Sequence, residues 1–146
     1  MKAKAKIKNQ ENLFKSRLDQ ILNNKHPLFV LTNQIDWEFF EKEYGEYYCE
    51  DNGRPALPIR LMVGIHYLRS AYNVSDEGVV EAFIENGYWQ YFCGFEFFQH
   101  YFPFDPATLV RWRQRIGSDA MEMLQRELLE TAQRMKFLKP SDMHRV

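Results

Sequence analysis

Three arginines fall within five positions of the stretch DPATLVRWRQRIG, residues 105–117. Arg111, Arg113 and Arg115 bracket Trp112 and Gln114. A guanidinium stays charged at any ordinary pH and forks onto phosphates or guanine edges. A glutamine amide can read adenine, and a threonine hydroxyl can bind phosphate or present its methyl group to thymine. At about 100° per residue on a helix, Leu109, Trp112 and Ile116 share one face. Thr108, Arg111, Gln114 and Arg115 share the other, and Arg113 flanks the apolar seam. No acidic residue follows Asp105 within this helix. Such a face suits DNA. Residue types alone favour an ordinary solvated surface, with Arg113 paired to a carboxylate such as Glu85 or Glu122.

Other chemistry is sparse. His26, His66, His100 and His144 never pair with one another or with Cys49 or Cys93 at ligand spacing, so no metal site is expected. His66 sits on an apolar helix and reads as a core histidine with its hydrogen bonds satisfied. Glu77, Glu81 and Glu85, four residues apart, read as a solvated face. There is no glycine-rich phosphate loop, nucleophile elbow or HExxH motif, so no catalytic residue and no cofactor are assigned. Two distant cysteines suit free thiols in a reducing, cytoplasmic setting, although one disulfide stays open.

The bulk numbers narrow the class. With 146 residues, 45% of them hydrophobic and 16% aromatic, the chain has the material for one packed domain rather than a disordered one. A formal net charge of −1 means that any nucleic-acid binding must come from a local patch. No run of 18 apolar residues occurs, and the lysine-rich start lacks the apolar segment of a secretory signal. A membrane partner is therefore not expected.

The elements that must position the arginines read as helices throughout. Residues 1–9 carry Lys2, Lys4, Lys6 and Lys8 and read as a mobile basic arm, solvated or in contact with DNA phosphate. A helix is predicted from about Gln10 to Asn23, with Leu13, Leu18, Ile21 and Leu22 as its stripe. Pro27–Thr32, PLFVLT, reads as a short strand or a buried connector, and the connector is favoured because nothing nearby offers a pairing strand. Asp36 caps a helix to Tyr44 that ends at Gly45. Pro58 opens a helix to about Tyr72 whose broad apolar face makes it central. Ser75 caps the next helix, which Asn86-Gly87 ends. In residues 88–104, ten of 17 side chains are aromatic; a short helix to Phe92 and a turn at Gly94 pack them onto the core, or else leave them as a protein-binding patch. Asp105 and Pro106 start the arginine helix and Gly117 closes it. Ser118 caps a last helix from about Asp119 to Lys136, with Met121, Leu124, Leu128 and Ala132 on one face. The expected fold is all-α: a compact multi-helix domain over residues 10–136 with a helix-turn-helix-like segment, and a linker over 137–146.

In their order, these pieces resemble a known family. GRPALPIRLMVGIHYLRSAYNVSDEGVVEAFIENGYWQYFCG followed by DPATLVRWRQRIG resembles the N-terminal region of bacterial insertion-sequence transposases, the InsH-like members of the IS-five group. The matching positions are Pro55 and Pro58; Tyr72, Val74, Ser75 and Asp76; Phe92, Cys93 and Gly94; and Asp105, Thr108, Leu109, Arg111, Trp112 and Arg113. The resemblance runs from about residue 50 to residue 146.

What the resemblance implies is a helical DNA-binding and assembly domain that recognises the terminal inverted repeats of an element during DNA transposition. In such transposases it precedes an RNase H-like domain, in which an Asp-Asp-Glu triad and two divalent metals cut and join DNA. Asp142 lies ahead of the position expected for the first of those aspartates, so the expectation is a chain without the catalytic domain: a fragment, a split-gene product or a remnant. The DNA-binding residues implied are Thr108, Arg111, Arg113, Gln114 and Arg115. A second class stays open, a protein-interaction module that forms a homodimer or a mixed complex with a full-length transposase; an inert remnant is a third.

Overall fold

Capping side chains mark most of the helix starts, and several of the links between helices are very short. The structure, a computed structural model, describes residues 15–45 and 57–134. Its elements are α1 (Leu18–Ile21), α2 (Pro27–Gln34), α3 (Trp37–Tyr44), α4 (Ile59–Tyr72), α5 (Asp76–Glu85), α6 (Gly87–Phe92) and α7 (Ala107–Arg134). Among the described residues there is no strand, as an all-α fold requires.

The caps work through named side chains. His26 Nδ1 accepts from Leu28 N at 3.1 Å and Asp36 Oδ1 from Phe39 N at 3.2 Å. Ser75 Oγ accepts from Gly78 N at 3.0 Å, and Asn86 Oδ1 from Tyr88 N at 2.9 Å. Each satisfies an amide that the first helical turn leaves without a partner. Asn86 thus serves two helices, ending α5 and starting α6. Asn73 ends α4 in the left-handed conformation at φ 53°, which asparagine tolerates better than most residues.

Helix α4 is the axis of the core. Leu61 through Leu68 are buried without interruption, so this helix is covered on more than one side. It packs against α3, α5, α6 and α7. Its approach to the end of α6 needs Gly64: a Cβ there would stand 3.1 Å from Cys93 Sγ and 3.3 Å from the Cys93 backbone.

Most of the aromatic run joins this core. Trp89 and Phe92 are buried, and Tyr88, Phe95, Phe102 and Phe104 pack against the central cluster. Phe83 meets Phe95 and Phe102 edge-on at 5.5 and 5.4 Å. Fully buried Gln90 pins the loop that follows: its amide donates to the carbonyls of Phe83 and Gln99 at 2.8 Å, and its oxygen accepts from Gln99 N at 2.6 Å. Tyr101 stands in solvent, 84% exposed.

Helix α7 has two arms, residues 107–116 and 118–134, bent at Gly117 (φ 84°, ψ 163°). Only glycine adopts that conformation readily. Leu109, Trp112 and Ile116 are buried on the first arm, Leu124 and Leu128 on the second. Burying side chains of this kind contributes about 1.5–3 kcal/mol each.

Two expectations are corrected. Among the described residues the first helix covers only Leu18–Ile21, so residues 15–17 and 22–23 of the expected helix are not helical, and its part before residue 15 lies outside them. Arg17 is extended, Leu18 N donates to the carbonyl of Glu96 at 2.8 Å, and Ile21, assigned to the buried stripe, is 58% exposed. Tertiary pairing with the aromatic loop has overridden helical propensity there. PLFVLT is a helix, not a connector: Pro27 occupies its first turn, and Leu28, Phe29, Leu31 and Thr32 are buried. An unbroken apolar run hides helical period when most of a short helix is covered. The lysine arm, Cys49, Leu13 and Asp142 lie outside the described residues.

Candidate nucleic-acid interface

The first arm of α7 begins where Asp105 and Pro106 require. Asp105 Oδ1 accepts from Ala107 N at 2.9 Å, and the Asp105 carbonyl accepts from Thr108 N at 2.9 Å. The apolar seam then fixes which way the helix faces. Leu109 is fully buried, Trp112 and Ile116 nearly so, and the Trp112 ring lies 4.9 Å from the His66 ring of α4. The opposite side therefore points outward. Arg111, Gln114 and Arg115 are exposed and Thr108 is half-buried. Arg111 Nη2 donates to Thr108 Oγ1 at 3.1 Å.

Arg113 has a different environment. Its Nη1 and Nη2 donate to Asp76 Oδ1 and Oδ2 at 2.9 and 2.7 Å, a two-pronged fork across 37 positions of sequence. Asp76 Oδ1 also accepts from Arg69 Nε at 2.8 Å. The cluster joins three helices: Arg69 on α4, Asp76 at the start of α5 and Arg113 on α7. The hydrogen bonds from Arg113, helped by the charges of both arginines, hold the Asp76 carboxyl below the usual carboxylate range.

His66 completes the cluster from beneath. Its Nδ1 lies 2.7 Å from the Met62 carbonyl and its Nε2 lies 3.3 Å from Arg113 Nη1. A carbonyl requires a donor and a guanidinium requires an acceptor, so the ring is neutral with its proton on Nδ1. Burial, with the nearby positive charges of Arg113 and Arg69 adding to it, pulls the pKa down to about 4. The reading of His66 as a core histidine with satisfied hydrogen bonds holds.

The carboxylate partner of Arg113 is Asp76, not Glu85 or Glu122. Glu77, Glu81 and Glu85 are exposed, as a solvated face requires. Local reading placed Asp76 in a first helical turn, where a carboxylate favours the helix dipole, and that role needed no partner. The one sequence signal for the pair was the order of the Ser75-Asp76 and Arg111-Trp112-Arg113 pieces, which says nothing about contact.

Elsewhere the chemistry is modest. Among the described residues no group of three His, Cys, Asp or Glu side chains could hold a metal ion. Cys93 is a free thiol, and burial pushes its pKa up, away from a reactive thiolate. An open cleft of about 630 Å³ is lined by Tyr72, Ala82, Glu85, Tyr88 and Trp89, among others. None of its lining residues belongs to α7, and Glu85 is the one carboxylate among them. Among the described residues no helix is long and apolar enough to cross a membrane.

Comparison with known proteins places this arrangement in a family. No solved structure matches the chain significantly. A protein of Rhizobium meliloti described as "Uncharacterized protein ORF8 in nfe locus" is 44% identical over 137 residues. The match takes in 94% of this chain and 66% of that protein, so the chain spans just under two thirds of the relative's length. The family model of the transposase domain (DUF772) matches residues 16–115, a stretch that runs from α1 through Arg115 and includes Arg69, Asp76 and Arg113. On that match the chain belongs to the transposase domain family DUF772.

Proposed function

We propose that this domain binds DNA at the ends of an insertion element, as the recognition and assembly part of a transposase of the InsH-like group. The observation that carries the reading is the outward face of α7's first arm. There Arg111, Gln114 and Arg115, with Thr108 beside them, stand on a helix whose other side is locked into the core. Arginine and glutamine are the side chains that read guanine and adenine edges, and threonine and arginine hold phosphates. Arg113 belongs to the same site, at its edge. In this reading α5 and the short aromatic turn after it act as the supporting elements of a helix-turn-helix-like unit, and the lysines at positions 2, 4, 6 and 8 add phosphate contacts. The cutting and joining of DNA belongs to the Asp-Asp-Glu domain of the whole transposase.

The test is a gel shift. The wild-type chain is first used to enrich duplexes from a pool randomised over about two helical turns. The enriched duplex is then titrated with wild type and with the Arg111→Ala/Arg115→Ala double variant. Losing two arginine contacts is expected to weaken binding by at least about tenfold. It should also flatten the dependence of affinity on salt, because fewer counterions are released. Equal binding by the two proteins defeats the assignment.

A second reading, a self-associating or mixed-complex module, draws on Tyr101 and Met123, exposed by 84% and 59%. They lie on separate elements, and most of the aromatic run is packed into the core, so the DNA reading is the better supported.

A further inference from the structure

The first arm of α7 is held to the molecule in two physically different ways. Leu109, Trp112 and Ile116 form an apolar contact, which is strong but non-directional. The Arg113–Asp76 fork is directional: two parallel N–H···O bonds at 2.9 and 2.7 Å fix the plane of the guanidinium as well as its distance. Asp76 is in turn fixed by Arg69 Nε at 2.8 Å, and its backbone by the Ser75 cap. Arg113 also rests against His66 Nε2 at 3.3 Å. The apolar seam sets which side of the helix faces the core, and the fork adds a directional restraint on its rotation within that packing.

Stability alone is a poor account of this cluster. The side chains of Arg69, Asp76 and Arg113 are 35%, 23% and 24% exposed. Ion pairs in such half-wet positions return little net energy. What a fork supplies is orientation, and the residues oriented by this one are those on the outward face of the helix.

We propose that Asp76 is the positioning residue for sequence discrimination: by clasping Arg113 it sets the rotation of the arginine helix, and so the aim of Arg111, Gln114 and Arg115 at base edges. This inference rests on the DNA-binding reading above. It makes an asymmetric demand. Base readout depends on hydrogen-bond geometry and is lost on a small rotation. Attraction to phosphate depends on charge and survives one. Removing the Asp76 charge also leaves Arg69 and Arg113 unneutralised, which strengthens attraction to any duplex.

Asp76→Asn is therefore expected to weaken binding to the enriched duplex and to hold or tighten binding to a scrambled duplex of equal composition. The ratio of the two affinities should fall at least about tenfold. A role in folding alone moves the two affinities down together, along with the helical signal in circular dichroism. Arg113→Lys is the second variant: it keeps the charge and removes the fork, so the ratio should fall, because affinity for the enriched duplex drops by more than affinity for the scrambled one. If Asp76→Asn loses its helical signal, the ratio is read on Arg113→Lys. An unchanged ratio in a folded variant overturns the inference while leaving the DNA-binding reading intact. If wild type enriches no duplex at all, that reading fails and this inference falls with it.

Discussion

Acidification should destabilise this protein through His66 before it reaches Asp76. The His66 ring is 1% exposed, donates to the Met62 carbonyl and accepts from Arg113, so the folded state holds it neutral. Its pKa in that state is about 4, against an ordinary value of 6.5, with burial as the largest cause. Between those values an unfolded chain takes up a proton that the folded chain refuses, so stability rises with pH across the window. The stabilisation is complete above about pH 6.5 and is lost as pH falls toward about 4. A difference of about 2.5 pH units corresponds to about 3 kcal/mol. That is a large part of the roughly 5–15 kcal/mol typical of a domain. Asp76 acts lower on the scale. Its carboxyl is held below the usual range, so its contribution stands above the ordinary carboxylate value and is lost only as pH falls through the folded one. Burial lowers the His26 pKa too, and gives a slope of the same sign. The assay must therefore isolate His66. Urea unfolding is followed by circular dichroism from about pH 7 to about pH 4 in wild type and in His66→Gln, whose amide can make the same two hydrogen bonds without a proton to gain. Wild type should lose about 3 kcal/mol more than the variant over that range. Identical slopes in the two proteins would refute the neutral buried ring and the reasoning built on it.

Two further outcomes test the supports of the arginine helix. Gly117→Ala should cost about 1–3 kcal/mol, seen as a lower Tm, because a Cβ there meets nothing within 4 Å and the whole penalty is backbone conformation. An unchanged Tm with added helical signal would mean that the bend is soft and that the two arms do not hold each other in place. Gln90→Leu leaves the Phe83 and Gln99 carbonyls and the Gln99 amide without their partner, at about 1–3 kcal/mol for each group that stays buried. Hydrogen exchange at the Gln99 amide should speed up by more than the loss of global stability explains. Wild-type protection of that amide would show that Gln90 does not pin the loop.

Sequence legibility followed the range of the interactions. Asp36, Ser75 and Asp105 lie beside the amides they cap, so the starts of α3, α5 and α7 could be read from local residue types. The Leu109-Trp112-Ile116 seam was equally legible, because one helix of known period decides which residues share its face. α2 was not: a short apolar run has no polar side to reveal its period. Nor was the extended segment before Leu18, whose backbone partner Glu96 is 78 positions away in sequence.

The same division runs through the candidate interface. By itself the sequence determined that three arginines, a glutamine and a threonine stand on one short helix, and which of them oppose its apolar seam. It also determined the fold class, since caps and helical period are local properties. Only the tertiary structure decided that Arg113 is clasped by Asp76 and that His66 must stay neutral beneath it. Those outcomes depend on which helices meet at α4, and side chains brought together from positions 66, 69, 76 and 113 leave no periodic trace in the chain that joins them.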